Sequence, residues 1–241
     1  MTLEKLKVEQ IALAILDANA MEIRDIGAGE EPFLYSSGNH GPGYISIKGL
    51  VGRKDIMKMF SQQLAICVAE KVPNVGFIAG NVTGGMIPGW QLSEYLEMLL
   101  NRTIPFVYIR DTRKKGGQKE LITGIAKNPE IAPGMNVVDV EELVNFAETT
   151  CNGAEVLREA GYEVTHAATI LSYENPVALT SLKEANIEMI SLLTLEQVLL
   201  AAEKYQTHPK NAIDDYKKFL EDPLRWQKER RLELVKEGGT K

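Results

Sequence analysis

From residue 54 onward the chain alternates helical segments with short apolar runs, and no other feature narrows its fold as far. Helical residues 54–71 precede Val75-Gly76-Phe77-Ile78-Ala79, and helical residues 86–100 precede Pro105-Phe106-Val107-Tyr108-Ile109. A third apolar run, 135–140, leads to a helix over 149–160 closed by Gly161, and 164–171 supplies a fourth. Strands separated by helix-length segments pair in parallel, because a parallel connection needs a crossover of about a dozen residues. The expected fold is therefore α/β, a Rossmann-like parallel sheet flanked by helices. Ligands of such sheets bind beyond the carboxyl ends of the strands, so the segments 80–85, 110–120 and 141–149 are where chemistry is expected.

The ends of the chain read differently. Residues 3–19 space Leu3, Leu6, Ile11 and Leu16 as an amphipathic helix, and Ile26-Gly27-Ala28-Gly29 breaks the helical pattern. Phe33-Leu34-Tyr35 is strand-like, 36–43 is a dense turn, and Tyr44-Ile45-Ser46-Ile47-Lys48 alternates. These short pieces form an N-terminal hood. The tail from Leu193 onward is helical and increasingly charged, punctuated by Pro209 and Pro223 and anchored by Trp226. The division this implies is residues 1–205 as one domain, hood included, and 206–241 as a helical C-terminal extension.

Composition excludes several classes. With 44% hydrophobic and 25% charged residues, the 241-residue chain has the make-up of an ordinary globular protein. The formal charge of −6 argues against a general nucleic-acid binder. No apolar run reaches the ~18 residues of a membrane span, so no membrane partner is expected. Cys67 and Cys151 are too few for a disulfide framework and match no metal spacing, which fits inert thiols in a reducing cytoplasm. The three histidines are scattered, so no protein metal site is expected, and Mg²⁺ would arrive only with a phosphorylated substrate.

Three segments carry candidate chemistry. Adjacent Glu141 and Glu142, at the end of a strand, can accept hydrogen bonds from vicinal ribose hydroxyls, and the following loop and helix start can offer N–H groups to a phosphate. An acidic turn that merely caps a helix has the same appearance. Residues 110–119 hold five cations and a Gly-Gly pair; such a loop can neutralise a leaving group, or can simply be solvated. Gly80-Asn81-Val82-Thr83-Gly84-Gly85 lets the backbone approach an anion, though its spacing is neither a P-loop nor a dinucleotide fingerprint.

Taken in order, these segments resemble orotate phosphoribosyltransferases. Phe33-Leu34-Tyr35-Ser36-Ser37-Gly38 with Pro42 and Tyr44 is similar to that family's N-terminal segment, and Thr83-Gly84-Gly85 with Pro88 to its diphosphate turn. Residues 105–110 with Lys114 and Gly117 resemble its strand and catalytic loop, and Ile170-Leu171-Ser172-Tyr173 and 191–195 the end of its domain. The resemblance implies a type I phosphoribosyltransferase fold and transfer of ribose-5-phosphate from phosphoribosyl diphosphate, with Mg²⁺, to orotate in pyrimidine biosynthesis. It implies that Glu141 and Glu142 hold the ribose hydroxyls and that Asn145, Phe146, Ala147, Glu148 and Thr149 wrap the 5-phosphate. Thr83, Gly84, Gly85, Arg113 and Lys115 would bind the rest of the donor. Lys114, with Arg110 beside it, would stabilise the departing diphosphate, in a homodimer that shares the basic loop across its interface. Ser36, Tyr44, Lys48 and Asn145 would meet the base.

The sequence also departs from that family. Its second acid is usually Asp, followed by a loop rich in Thr and Gly; here Glu142 precedes Asn145–Thr149, which lacks glycine. Without glycine the loop's backbone should be restricted, and Glu148 is expected to point away from a phosphate. Asp111 and Gly116 replace a Lys and a His, and no Arg for gripping orotate stands near Ser172-Tyr173-Glu174. The alternatives are a catalytically retired homologue that binds nucleotide as a regulator, or the same transfer to another base.

Overall fold

In the computed structural model, which describes residues 4–35, 38–110 and 121–234, the alternation resolves into a parallel sheet. Helix α1 (Val8–Asp17) turns Ile11, Ala12, Ile15 and Leu16 inward. The hood comes next, as β1 (Met21–Ile23), β2 (Phe33–Leu34), β3 (His40–Gly41) and β4 (Gly43–Ile45); β1 pairs with β4 and β2 with β3, both antiparallel. A 3-10 turn over Lys48–Gly52 leads to α2 (Lys54–Lys71), β5 (Phe77–Asn81), α3 (Met86–Leu100), β6 (Phe106–Ile109) and β7 (Ile122–Thr123). Next come β8 (Asn136–Val144), α4 (Glu148–Glu159), β9 (Glu163–Ser172), α5 (Pro176–Glu184) and β10 (Glu188–Thr194). Helices α6 (Leu195–Lys204), α7 (Lys210–Glu221) and α8 (Pro223–Glu229) complete the described chain.

The sheet runs β10-β9-β8-β5-β6-β7, parallel throughout except for the β6–β7 pair. Its central strands are apolar on both faces because helices cover both. On one face Phe60 and Leu64 of α2, Leu92 and Leu96 of α3, and residues of α1 and α6 pack against Ile78, Val138 and Val140. On the other, Ala154 and Leu157 of α4 and Ala178 and Leu182 of α5 meet Phe77, Ala79 and Val137. Each fully buried Leu or Phe contributes about 1.5–3 kcal/mol. Ile213, Tyr216, Phe219 and Trp226 of α7 and α8 belong to the first of these cores. Among the described residues, no helix is long and apolar enough to cross a membrane.

Several boundaries differ from the sequence reading. Strand β8 continues through Glu141 and Glu142 to Val144, because β9 extends to Ser172 and offers Thr169, Leu171 and Ser172 as partners. The acidic pair thus lies inside a strand rather than past its end. Strand β5 takes in Gly80 and Asn81, read as turn, through pairing with Tyr108 and Ile109. Leu193 and Thr194, read as the start of the helical tail, close strand β10. The helix begins one residue later, where Thr194 Oγ1 accepts from Gln197 N–H at 3.2 Å and Gln197 Oε1 accepts from Thr194 N–H at 3.0 Å. Helix α1 is shorter than 3–19, since Lys7 is extended and Asn19 turns to positive φ. Helix α5 has no counterpart in the sequence reading, although Asn175-Pro176 is an N-cap followed by proline at the first helical position.

Candidate functional site

Along β8, Asp139 faces Gly153 of α4, whereas Glu141 and Glu142, further along the strand, both line the cavity. Glu142 meets the turn after β5 so closely that a Cβ on Gly84 would overlap its carboxylate. Gly85 packs just as closely on the Val140 carbonyl. The glycines in Thr83-Gly84-Gly85 are therefore required by the acidic strand beside them. The Val82–Thr83 peptide is cis. Lys48 Nζ stands 3.7 Å from Glu142 Oε1, tying the hood to the floor of the site.

Glu141 is buried, and its Oε1 accepts from Glu142 N–H at 3.2 Å. Burial first, and then the neighbouring Glu142 and Asp139, push its carboxyl well above the usual range. Glu141 thus retains its proton to higher pH than a free carboxylate does. One step further inside, Asp139 is fully buried and accepts from Asn81 Nδ2 through both oxygens at 3.0 Å. Burial lifts it to about 7, against the pull of the Asn81 and Val140 hydrogen bonds. Gly153 of α4 lets that helix lie directly on the pair, since a Cβ there would stand 2.6 Å from Asn81 Oδ1 and 2.8 Å from Asp139 Oδ2.

The loop between β8 and α4 solves its lack of glycine at a cost. Ala147 is the residue before α4 and takes the left-handed conformation, φ 65°, ψ 11°. For a residue with a Cβ that costs about 1–2 kcal/mol. Asn175, wholly buried, holds the loop from below: its Nδ2 donates to Asn145 O at 2.6 Å and to Asn145 Oδ1 at 3.0 Å. The same side chain caps α5, accepting from Val177 N–H and Ala178 N–H at 3.0 Å each. Glu148, expected to point away, is half-buried and forms part of the cavity wall. Its place in the first turn of α4 is one where the helix dipole favours a carboxylate.

One cavity of about 510 Å³ gathers most of the expected residues: Tyr44, Lys48, Thr83, Gly84, Glu141, Glu142 and Asn145 through Thr149. Gly85 lies under its floor, packed on β8. Arg110 is not among the lining residues; its Nε donates to Thr123 Oγ1 at 2.9 Å and its Nη2 to Tyr108 OH at 3.2 Å, which holds it along β6 and β7. Ser36, Arg113, Lys114 and Lys115 fall outside the described residues. The sequence reading names Tyr35, Tyr173 and Asn81 only as members of motifs, with no role of their own, and gives no site role to Asp139, Gly153 or Asn175. Tyr35 and Tyr173 stand in the wall and the others behind it. The two-residue spacing of Asp139 and Glu141 was the available signal for the buried acid; nothing local marks the tyrosines.

The sheet order, with helices on both faces, is that of the type I phosphoribosyltransferase fold. Solved structures agree: UMP synthase from Leishmania donovani superposes with TM-score 0.71 at 22% identity over 89% of this chain, which spans 42% of that protein. Orotate phosphoribosyltransferase from Aeropyrum pernix superposes with TM-score 0.62 at 20% identity, covering 83% of this chain and 99% of its own. In sequence the chain is similar to orotate phosphoribosyltransferase from Phocaeicola vulgatus, 29% identical over 94% of this chain and 98% of that one. It is also similar to the Streptococcus pyogenes serotype M12 enzyme of the same name, 27% identical over 90% and 97%. No family model matches the chain. The resemblance read from five segments thus extends over nearly the whole length, at the distance of a divergent relative.

Proposed function

We propose that the chain transfers ribose-5-phosphate from phosphoribosyl diphosphate to orotate, giving orotidine 5′-monophosphate and diphosphate. The observation that carries this reading is the convergence of the Thr83-Gly84 turn, the Glu141-Glu142 pair and the start of α4 on one cavity. Glu141 and Glu142 accept the ribose hydroxyls. The first N–H groups of α4, with Asn145–Thr149 around them, hold the 5-phosphate at a helix N-terminus. The turn at Thr83-Gly84 admits the diphosphate close to backbone, and Tyr44 and Lys48 frame the base. Lys114, with Arg110, Arg113 and Lys115 in the same segment, offsets charge on the leaving diphosphate. The work is alignment and charge stabilisation at a carbon that becomes cationic in transfer.

Mg²⁺ belongs to this reading as an ion carried by the donor. The donor set fits, because Glu141 and Glu142 are hard oxygen groups at the wall, of the kind Mg²⁺ takes when phosphate and water complete its shell. When bound, it lowers the charge that the diphosphate carries away. A homodimer is part of the same reading. Ile87, Trp90 and Met98 form an exposed apolar stripe along α3, the helix that begins beside Thr83-Gly84-Gly85, and such a stripe suits a second copy. Cytoplasmic placement goes with the two unpaired cysteines.

Nucleotide binding without transfer has one observation in its favour. Among the described lining residues three carboxylates, Glu141, Glu142 and Glu148, accompany a single cation, Lys48. The test is direct: purified protein with phosphoribosyl diphosphate, Mg²⁺ and orotate, following the loss of orotate absorbance. Turnover with orotate is the expected result. Turnover only with another base reassigns the acceptor, and none with any base leaves a binding protein.

A further inference from the structure

We propose that the C-terminal helices α7 and α8 position the hood over the acceptor half of the cavity, through Tyr216 and Gln227. The kinetic arm of this proposal rests on the transfer reading; its structural arm does not. Tyr216 of α7 is fully buried, and its hydroxyl donates to that of Tyr173 at 3.0 Å. Its ring sits so near Gly43 that a Cβ there would overlap it. The Gly43 carbonyl accepts the Tyr35 hydroxyl at 2.6 Å. Tyr35 and Tyr173 both line the cavity, and Tyr44 follows Gly43 directly. One side chain from the tail therefore sets two wall residues and the strand that carries a third.

The donors can be accounted for one by one. Tyr35 donates to the Gly43 carbonyl and Tyr216 to the Tyr173 hydroxyl, so the tail and the hood share one buried hydroxyl cluster. A phenylalanine at 216 would fill the same space and leave that arrangement unheld. Helix α8 holds the hood at a second point. Gln227, wholly buried, accepts from His40 N–H at 2.7 Å and donates through Nε2 to Pro223 O at 3.1 Å. His40 and Gly41 pair with Phe33 and Leu34, the strand that leads into Tyr35. Neither Tyr216 nor Gln227 lines the cavity, so both act through the residues they hold.

Tyr216→Phe and Gln227→Met keep side-chain volume and remove the hydrogen bond. In the full chain without ligand, hydrogen exchange of the amides at 38–47 should quicken about fivefold or more in each variant, as loss of a buried hydrogen bond implies. Peptides from β8 and β9 should be unchanged. In steady state, KM for orotate should rise about five- to tenfold, while kcat and KM for the donor hold within about twofold. Unchanged exchange in the hood, or acceleration spread evenly over the chain, would overturn the proposal. So would an equal rise in both KM values. Absence of turnover in the parent protein would remove the transfer reading alone, because exchange still decides whether the tail positions the hood.

Discussion

The floor of the cavity comes from two short stretches, Thr83–Gly85 and Glu141–Thr149, whereas its roof gathers Tyr35, Tyr44 and Tyr173 with Tyr216 behind them. In the floor, geometry is set by backbone: glycines 84 and 85 lie against Glu142 and the Val140 carbonyl, and Ala147 turns the chain into α4. In the roof, geometry is set by side chains of distant segments that share hydroxyls and ring contacts. Backbone-built sites tolerate almost no added atom, while side-chain-built sites can be tuned one hydroxyl at a time. On the proposed function, the floor would suit a fixed anionic donor and the roof would be where acceptor choice can drift.

The largest test of that contrast falls on Lys114. Lys114→Ala should lower kcat by about a hundredfold or more and leave donor binding nearly intact. A loss seen mainly in donor KM would make the basic segment an extension of the floor. Gly84→Ala should reduce kcat/KM by about a hundredfold with little change in Tm, because the added methyl displaces only the far end of the Glu142 side chain. Gly85→Ala meets the Val140 carbonyl and the Asn81 backbone instead, so it should cost about 1–3 kcal/mol of stability, read by denaturant unfolding. If the two variants behaved alike, the distinction between a site contact and a scaffold contact in this turn would fail.

A pH series probes the acid beneath the floor. Asp139 holds its proton to about 7 in the folded chain, against an ordinary value of 3.8. Between those limits the folded state binds more protons than the unfolded one, so stability is full below about pH 4 and declines as pH rises toward 7. The effect is on the order of a few kcal/mol. Asp139→Asn should flatten much of the decline in Tm from pH 4 to 7; some remains, because Glu141 is shifted in the same direction. An undiminished slope in the variant would remove Asp139 as its source. The smallest effect is expected at Ala147→Gly, which should add about 1 kcal/mol by relieving the left-handed backbone. A loss of stability there would mean that the Ala147 methyl, buried in the core, outweighs the strain.

Much of this was legible in the chain itself. Strand-helix alternation predicts the parallel sheet that is found. The acid pair, the glycine turn and the loop to α4 are local patterns that the family resemblance assigns to the site, and they gather around one cavity. The same locality explains the errors. Strand β8 outran its expected end because its length is set by β9, and β10 took residues assigned to the tail because its partner is β9 as well. Asn175 and Gly153 escaped notice because each matters only through a neighbour in space, Asn145 for one and the Asn81–Asp139 pair for the other.

By itself, then, the sequence determined the α/β architecture and the floor of the cavity, since hydrophobic period, glycine placement and paired acids are properties of neighbouring residues. Only the tertiary structure decided the roof. Tyr35, Gly43, Tyr173, Tyr216 and Gln227 lie far apart in the chain, and no periodicity relates them. Their hydroxyl, ring and amide contacts exist because folding lays α7 and α8 against the hood, where a buried polar group is stable only with its partner in place.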